Sequence, residues 1–429
     1  MSPTQLYVIV VISLPLILTA ANRLRADYAA LIIAFLLGIG QAVFGLPIFD
    51  SSGDSSRAVG AITGFGQPIS LTLISLFILT GTLEKYGIAR WIADRLLALG
   101  GQSVPRLIAL YTIAAAALSL IINTVAAGAL LLPSALQTAR QTNSAPSKLL
   151  MPLSFGTLLG GCATYFTTAN IITSGLLTVA NPPQAPLGVL DFTPVGGLIA
   201  IAGIVYIIIF APRLLPERTS LWQPATVSHA VTLSPKLAML SVLILGVSIG
   251  AAVLGLPTYL AMLGGALAVL LLGLITADEA YRLVEWRTIF LVAGMYSVGV
   301  ALTQTGIAAA LGELMVNAVQ PLGALGLAGG VFWLTVGFAH IMGGQVTPLV
   351  AVPIAISAAI QFGVNVHAIA ITAAIACSTA YLSPIAHPVN MMVTPPADYR
   401  FSDFFRLGSG LTLLCFVMLL IGLKLFWGF

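Results

Sequence analysis

The sequence predicts an all-α polytopic membrane protein made of two inverted repeats, each with five transmembrane spans and one re-entrant hairpin, and with broken helices at the midplane. Three observations lead there: the composition, the recurrence of long apolar runs, and a series of matching positions at one spacing. Of 429 residues, 59% are hydrophobic and 7% charged, which is more apolar surface than a soluble core can hide.

Crossing ~30 Å of hydrocarbon takes about 17 to 25 apolar residues. Ten runs meet that length: 5–20, 28–47, 66–84, 147–180, 191–210, 235–253, 257–275, 287–303, 365–396 and 405–427. The first is read as a span rather than a cleaved leader, because no Lys or Arg precedes it and a second run follows almost at once. The fourth and ninth are interrupted by polar and proline-rich stretches and are read as broken. Segments 105–139 and 321–360 are too interrupted for one span and too short for two, so each is read as a hairpin that returns to its own side. The polar stretch 216–234 links a first half, 1–215, to a second, 235–429, and is too short to be a domain. Cys162, Cys377 and Cys415 all fall in apolar segments with no metal-like spacing, so neither a disulfide framework nor a zinc site is expected.

Positive residues collect in cytoplasmic loops. Sorted onto alternate sides of this topology, all of the 17 Lys and Arg except Arg57 and Lys424 fall on one side. Both termini are therefore expected outside, in an inner or plasma membrane. The basic balance is a consequence of topology and calls for no nucleic acid.

The two halves share ordered features. "LEKYGIARW" at Leu83 and "LTQTGIAAA" at Leu302 each place Gly-Ile-Ala four residues after a leucine. The same offset, within one residue, takes Pro133 to Pro353, Thr164 to Ser383 and Asn170 to Asn390. With five spans per half, the second half enters the membrane upside down, a common plan of secondary transporters. Irregular backbone at membrane depth is tolerated only where protein or a water-filled cavity satisfies it. The matched breaks "GGCATYFTTANII" and "SPIAHPVNMMV" thus mark a midplane binding site, with N–H groups for an anion and carbonyls for a cation. His340 and His387 are read first as caps of broken backbone. The segments Gly87–Leu99 and Gly306–Val319 are amphipathic at helical spacing and are expected in the interface.

At "INTVAAGALLLP", "GGCATYFTTAN" and "LSPIAHPVNMMVTPPADYRFSDFFRLG" the sequence resembles the divalent-anion/sodium symporter family of the ion transporter superfamily. The resemblance implies a homodimer that takes up a dicarboxylate or inorganic anion with sodium as the coupling ion. It implies Asn123, Thr124, Thr164, Thr168, Ser383 and Asn390 as substrate residues, and Asn123, Asn170, Gly161, Gly344 and Gln345 as sodium residues. Two departures stand out: Ile122 replaces the Ser of the first hairpin's Ser-Asn-Thr motif, and Gly343-Gly344-Gln345 replaces that motif in the second. A weakened second sodium site is therefore expected.

Arsenite-efflux permeases and sodium/proton antiporters of the same superfamily are the alternative. Away from their ends, however, the predicted spans carry no Asp, Glu, Lys or Arg to relay a proton. No zinc-protease motif, serine–histidine arrangement or pair of membrane aspartates supports an intramembrane enzyme, and matched broken helices suit alternating access better than a channel.

Overall fold

The computed structural model describes all residues except 22, 51, 89–90, 92–94, 96–102 and 219–233. Among the described residues it is helical throughout, with no strand. The first part holds α1 (Pro3–Ala20), α2 (Ala26–Ala42), α3 (Pro68–Lys85), α4 (Val104–Ser119) and α5 (Thr124–Gln141). It continues with α6 (Leu150–Cys162), α7 (Thr168–Leu177) and α8 (Thr193–Leu214). The second part holds α9 (Pro235–Val253), α10 (Thr258–Leu271), α11 (Ala277–Leu283), α12 (Trp286–Gln304) and α13 (Ile307–Val319). It closes with α14 (Gly323–Met342), α15 (Thr347–Phe362), α16 (Val366–Ser378), α17 (Pro388–Ala397) and α18 (Phe401–Phe426). Setting α11 and α13 aside, the second part runs through the same order of elements as the first.

Every apolar run of the sequence appears as a helix or a helix pair. The two expected hairpins are α4–α5 and α14–α15, and the two expected breaks separate α6 from α7 and α16 from α17. The amphipathic segment after Gly306 is α13, whereas Gly87–Leu99 and the linker 216–234 lie largely outside the described residues. Unforeseen elements are the short α11 and the 3-10 turns Ser55–Ala61 and Thr63–Gly66.

Local chemistry sets these boundaries. α5 begins where Asn123 accepts the Val125 N–H at 2.8 Å, satisfying one of the donors that a helix start leaves open. α14 stops at Gly343, whose φ of +84° is left-handed and open to glycine at little cost. α16 begins under an Asn365 cap, and α17 begins with His387 capping and Pro388 in the first turn.

The broken helices form the interior. All of α6 is buried, as is α16 from Ala368 to Ser378, so both are covered around their whole circumference. α4 reaches α6 closely because Gly160 has no side chain: a Cβ there would collide with the Ala116 backbone. The outer helices show the opposite pattern. α9 exposes Met239, Leu243 and Val247, and α18 exposes Leu413 and Leu425, apolar stripes that suit lipid. Six helical segments among the described residues are long and apolar enough to cross a membrane. The chain is an integral membrane protein.

Packing between the two parts is reciprocal. α6 contacts α17 and α16 contacts α7, so the first limb of each break meets the second limb of the other. Likewise α5 contacts α17 and α15 contacts α7. Both breaks and both hairpin turns are thereby brought to one place.

Candidate functional site

A cavity lies where these turns meet, lined by Asn123, Thr124, Val125, Leu158, Thr167, Thr168, Ala169, Gly344, Gln345, Cys377, Ser378 and His387. The elements that deliver these residues explain its chemistry. Asn123 to Val125 begin α5, Thr167 to Ala169 begin α7, Gly344 and Gln345 lead into α15, and His387 is the N-cap of α17. Four helix N-termini thus converge on one space that no charged side chain lines. Helix starts carry a partial positive charge, which suits an anion without any arginine; the first N–H groups of α15 and α17 are bonded to Gly343, Val346 and His387, so among the described residues the open N–H groups come from the starts of α5 and α7. The space is small, about 30 Å³, or room for about two waters. A larger anion requires the surrounding turns to part.

Side-chain donors complete the lining. The Asn123 oxygen is engaged by Val125, so its amide NH₂ is the group left for a ligand. Thr124 accepts from the Ser119 hydroxyl at 3.2 Å and keeps its own proton to donate. His387 accepts the Val389 N–H on Nδ1 at 3.3 Å, which leaves the neutral ring with its proton on Nε2. Capping is therefore its local role, as the sequence reading gave it, and the same bond turns a donor outward. His340 is fixed the same way: Leu382 N–H donates to its Nε2 and its Nδ1–H donates to the Val336 carbonyl at 2.7 Å. It pins the loop of the second break to α14.

The first break also offers acceptors. Thr167 is the N-cap of α7 and Asn170 its third residue, the pair of positions that elsewhere close a capping box. Here neither makes that bond. The Asn170 amide reaches back to the Thr164 carbonyl at 2.6 Å and the Gly161 carbonyl at 3.4 Å. Its oxygen is fully buried with no hydrogen-bond partner, and so is the Thr167 hydroxyl. Buried polar atoms without partners are uncommon in native proteins, and two of the seven such atoms among the described residues sit together at this corner. Gly161 faces Thr124 and Thr167 directly, so the C-terminal end of α6 supplies carbonyls to the same corner. Oxygen donors at a negative helix end suit a hard cation such as sodium.

Of the residues expected from sequence, Asn123, Thr124, Thr168, Gly344 and Gln345 line the cavity, while Gly161 and Asn170 stand at its first-break corner. The structure keeps three others out of the lining. Thr164 donates to the Leu120 carbonyl, Ser383 caps the 3-10 turn at Ile385, and Asn390 is fully engaged behind the second break. Thr167, Cys377 and Ser378 are lining residues that sequence reading did not single out as ligands. Thr167 is one threonine among three in "TYFTT", and only its missing cap bond marks it.

The profile of a family described as citrate transporters matches residues 14–376. An uncharacterized transporter of Synechocystis is 36% identical over 161 residues, 37% of this chain and 26% of that protein. A probable sodium/sulfate cotransporter of Chlamydomonas reinhardtii is 28% identical over 166 residues, 37% of this chain and 18% of that protein. The matched stretches thus span about a quarter or less of these longer relatives. The fold is similar to that of the Alcanivorax borkumensis YdaH transporter, with a TM-score of 0.60 at 15% identity, covering 94% of this chain and 99% of that one.

Proposed function

The chain belongs to the citrate transporter family, and on that premise we propose that it is a secondary transporter coupling uptake of a divalent anion, a dicarboxylate or sulfate, to sodium. The observation that carries this reading is the convergence of four helix N-termini on an uncharged cavity, beside two buried oxygens that no group among the described residues satisfies. The anion is held by the starts of α5, α7, α15 and α17 together with Asn123, Thr124, Thr168, Gln345 and His387. Sodium is held at the first-break corner by Asn170, Thr167 and carbonyls around Gly161. The name of the Chlamydomonas relative agrees with both ions.

The repeated element order supports two inverted halves, 1–215 and 235–429, and alternating access in which the α4–α5 and α14–α15 hairpins part in turn. Both termini lie outside, and the protein works as a homodimer. No carboxylate lines the cavity, so nothing there favours a proton-carrying antiporter. Thermal unfolding of purified protein with sulfate, succinate, malate, citrate, phosphate and arsenite, each with and without sodium, tests the proposal. One of the first four should stabilise the protein, and more strongly in sodium. Stabilisation by arsenite alone, indifferent to sodium, would overturn it.

A further inference from the structure

The two breaks occupy equivalent places in the fold and are wired differently. Asn390 is the third residue of α17, as Asn170 is of α7. Its amide reaches back to the Ala380 carbonyl at 2.6 Å and the Ser383 carbonyl at 3.1 Å, the same pattern that Asn170 makes with Gly161 and Thr164. The N-caps correspond as well, His387 to Thr167. The difference lies in the oxygens. The Ser154 hydroxyl of α6 donates to Asn390 Oδ1 at 2.6 Å, and both side chains are fully buried. His387 spends Nδ1 on the Val389 N–H. At the first break, the Asn170 oxygen and the Thr167 hydroxyl have no partner.

We infer that Ser154 takes the place of a cation at the second break, so that the transporter binds one sodium ion, at the first break, and the second break is held by hydrogen bonds inside the protein. This rests on the sodium reading given above. The sequence explains the asymmetry. At the offset of 219 that relates Thr164 to Ser383, the counterpart of Ser154 is Ala373, which has no hydroxyl to offer Asn170. Ser154 lies where α6 meets α17, and Ala373 belongs to α16, the helix that meets α7 in the reciprocal packing of the breaks. A single serine thus satisfies one amide oxygen and leaves the other open. A neutral O–H donor fills the oxygen's need as a bound cation does, but it is covalently part of the protein and travels with it. Ser154 acts through Asn390 and touches no ligand; it is a positioning residue.

The consequence is electrical. One sodium entering with one divalent anion moves a net single negative charge inward, whereas two sodium ions would make the cycle silent. The test needs no knowledge of the anion, because sodium itself is the probe. Equilibrium binding of radioactive sodium to the purified full chain should give one ion per chain. Ser154→Ala frees the Asn390 oxygen and should raise the count to two, while Ser154→Thr, which keeps a hydroxyl, should stay at one. Ser154→Cys, with its weak S–H donor, serves if the alanine variant fails to fold and should also approach two. Two ions bound by the wild type, or one ion bound by a folded Ser154→Ala or Ser154→Cys protein, overturns the inference. If no sodium binds to any of them, the sodium reading itself has failed, and the inference with it.

Discussion

Gly161 and Thr124 face each other across the junction of the first break and the first hairpin: a Cβ placed on Gly161 would stand 3.0 Å from Thr124 Oγ1 and 3.2 Å from Thr167 Cγ2. Such gaps are tighter than ordinary contact, so the neighbours must shift by a few tenths of an ångström. Because those neighbours are side chains, Gly161→Ala should fold. Its displaced threonines should raise the sodium concentration for half-maximal binding by about tenfold, equivalent to ~1.4 kcal/mol. Sodium titration of thermal stability checks this, and an unchanged midpoint would show that the corner holds no ion.

His387 has two duties that one substitution separates. Serine is a strong N-cap, so His387→Ser keeps the Val389 N–H satisfied while removing the ring donor. A hydrogen bond to a charged group is worth ~1.5–3 kcal/mol. The KM for the anion should therefore rise by about ten- to a hundredfold with sodium affinity unchanged. An unchanged KM would leave His387 a cap alone.

Tyr399, just past the C-terminal end of α17, ties that end to the start of α6. Its hydroxyl donates to the Ser147 carbonyl and accepts the Met151 N–H at 2.8 Å, all of it buried. Tyr399→Phe strands both backbone groups, at a cost of ~1–3 kcal/mol each. Thermal unfolding should fall by several degrees with the sodium count unchanged.

At the end of α3, Lys85 donates at 2.8 Å to both carboxylate oxygens of Glu279, which lies outside the membrane segments in α11, and with the Thr276 N–H holds that carboxyl below the usual range. A group whose folded pKa is lowered stabilises the protein above its unfolded value, about 4.3 for glutamate, and loses that contribution as pH falls through the folded value. The pair is partly exposed, so its contribution at neutral pH is at most ~1 kcal/mol. Glu279→Gln should lower unfolding temperature slightly at neutral pH and converge on the wild type in acid. A difference that persists in acid would place the effect elsewhere.

How far the site was legible follows from the range of each signal. Hydropathy runs place the helices, and proline, glycine and asparagine inside those runs place the breaks, because those signals are local. Asn123, Thr124 and Thr168, which line the cavity, came from the family resemblance and not from the local signals alone. The state of the Asn390 oxygen was out of reach, since it depends on Ser154, 236 residues away. Ser154 reads in sequence as one more small residue of a buried helix. Asn170 and Asn390 look identical in sequence, and only their partners tell them apart. Likewise His387 reads as a cap, and that it also faces the cavity depends on how α17 meets the second hairpin turn.

If sodium drives an anion into this site without charged side chains, uptake follows the sodium gradient. Uptake of labelled sulfate, succinate and citrate into proteoliposomes tests it most directly, with an inward sodium gradient compared with an inward proton gradient at equal sodium. At least one of these anions should accumulate under the sodium gradient and none above equilibrium under the proton gradient, with Asn123→Ala abolishing accumulation in a folded protein. Accumulation driven by protons alone, or full uptake by the Asn123→Ala protein, would contradict it.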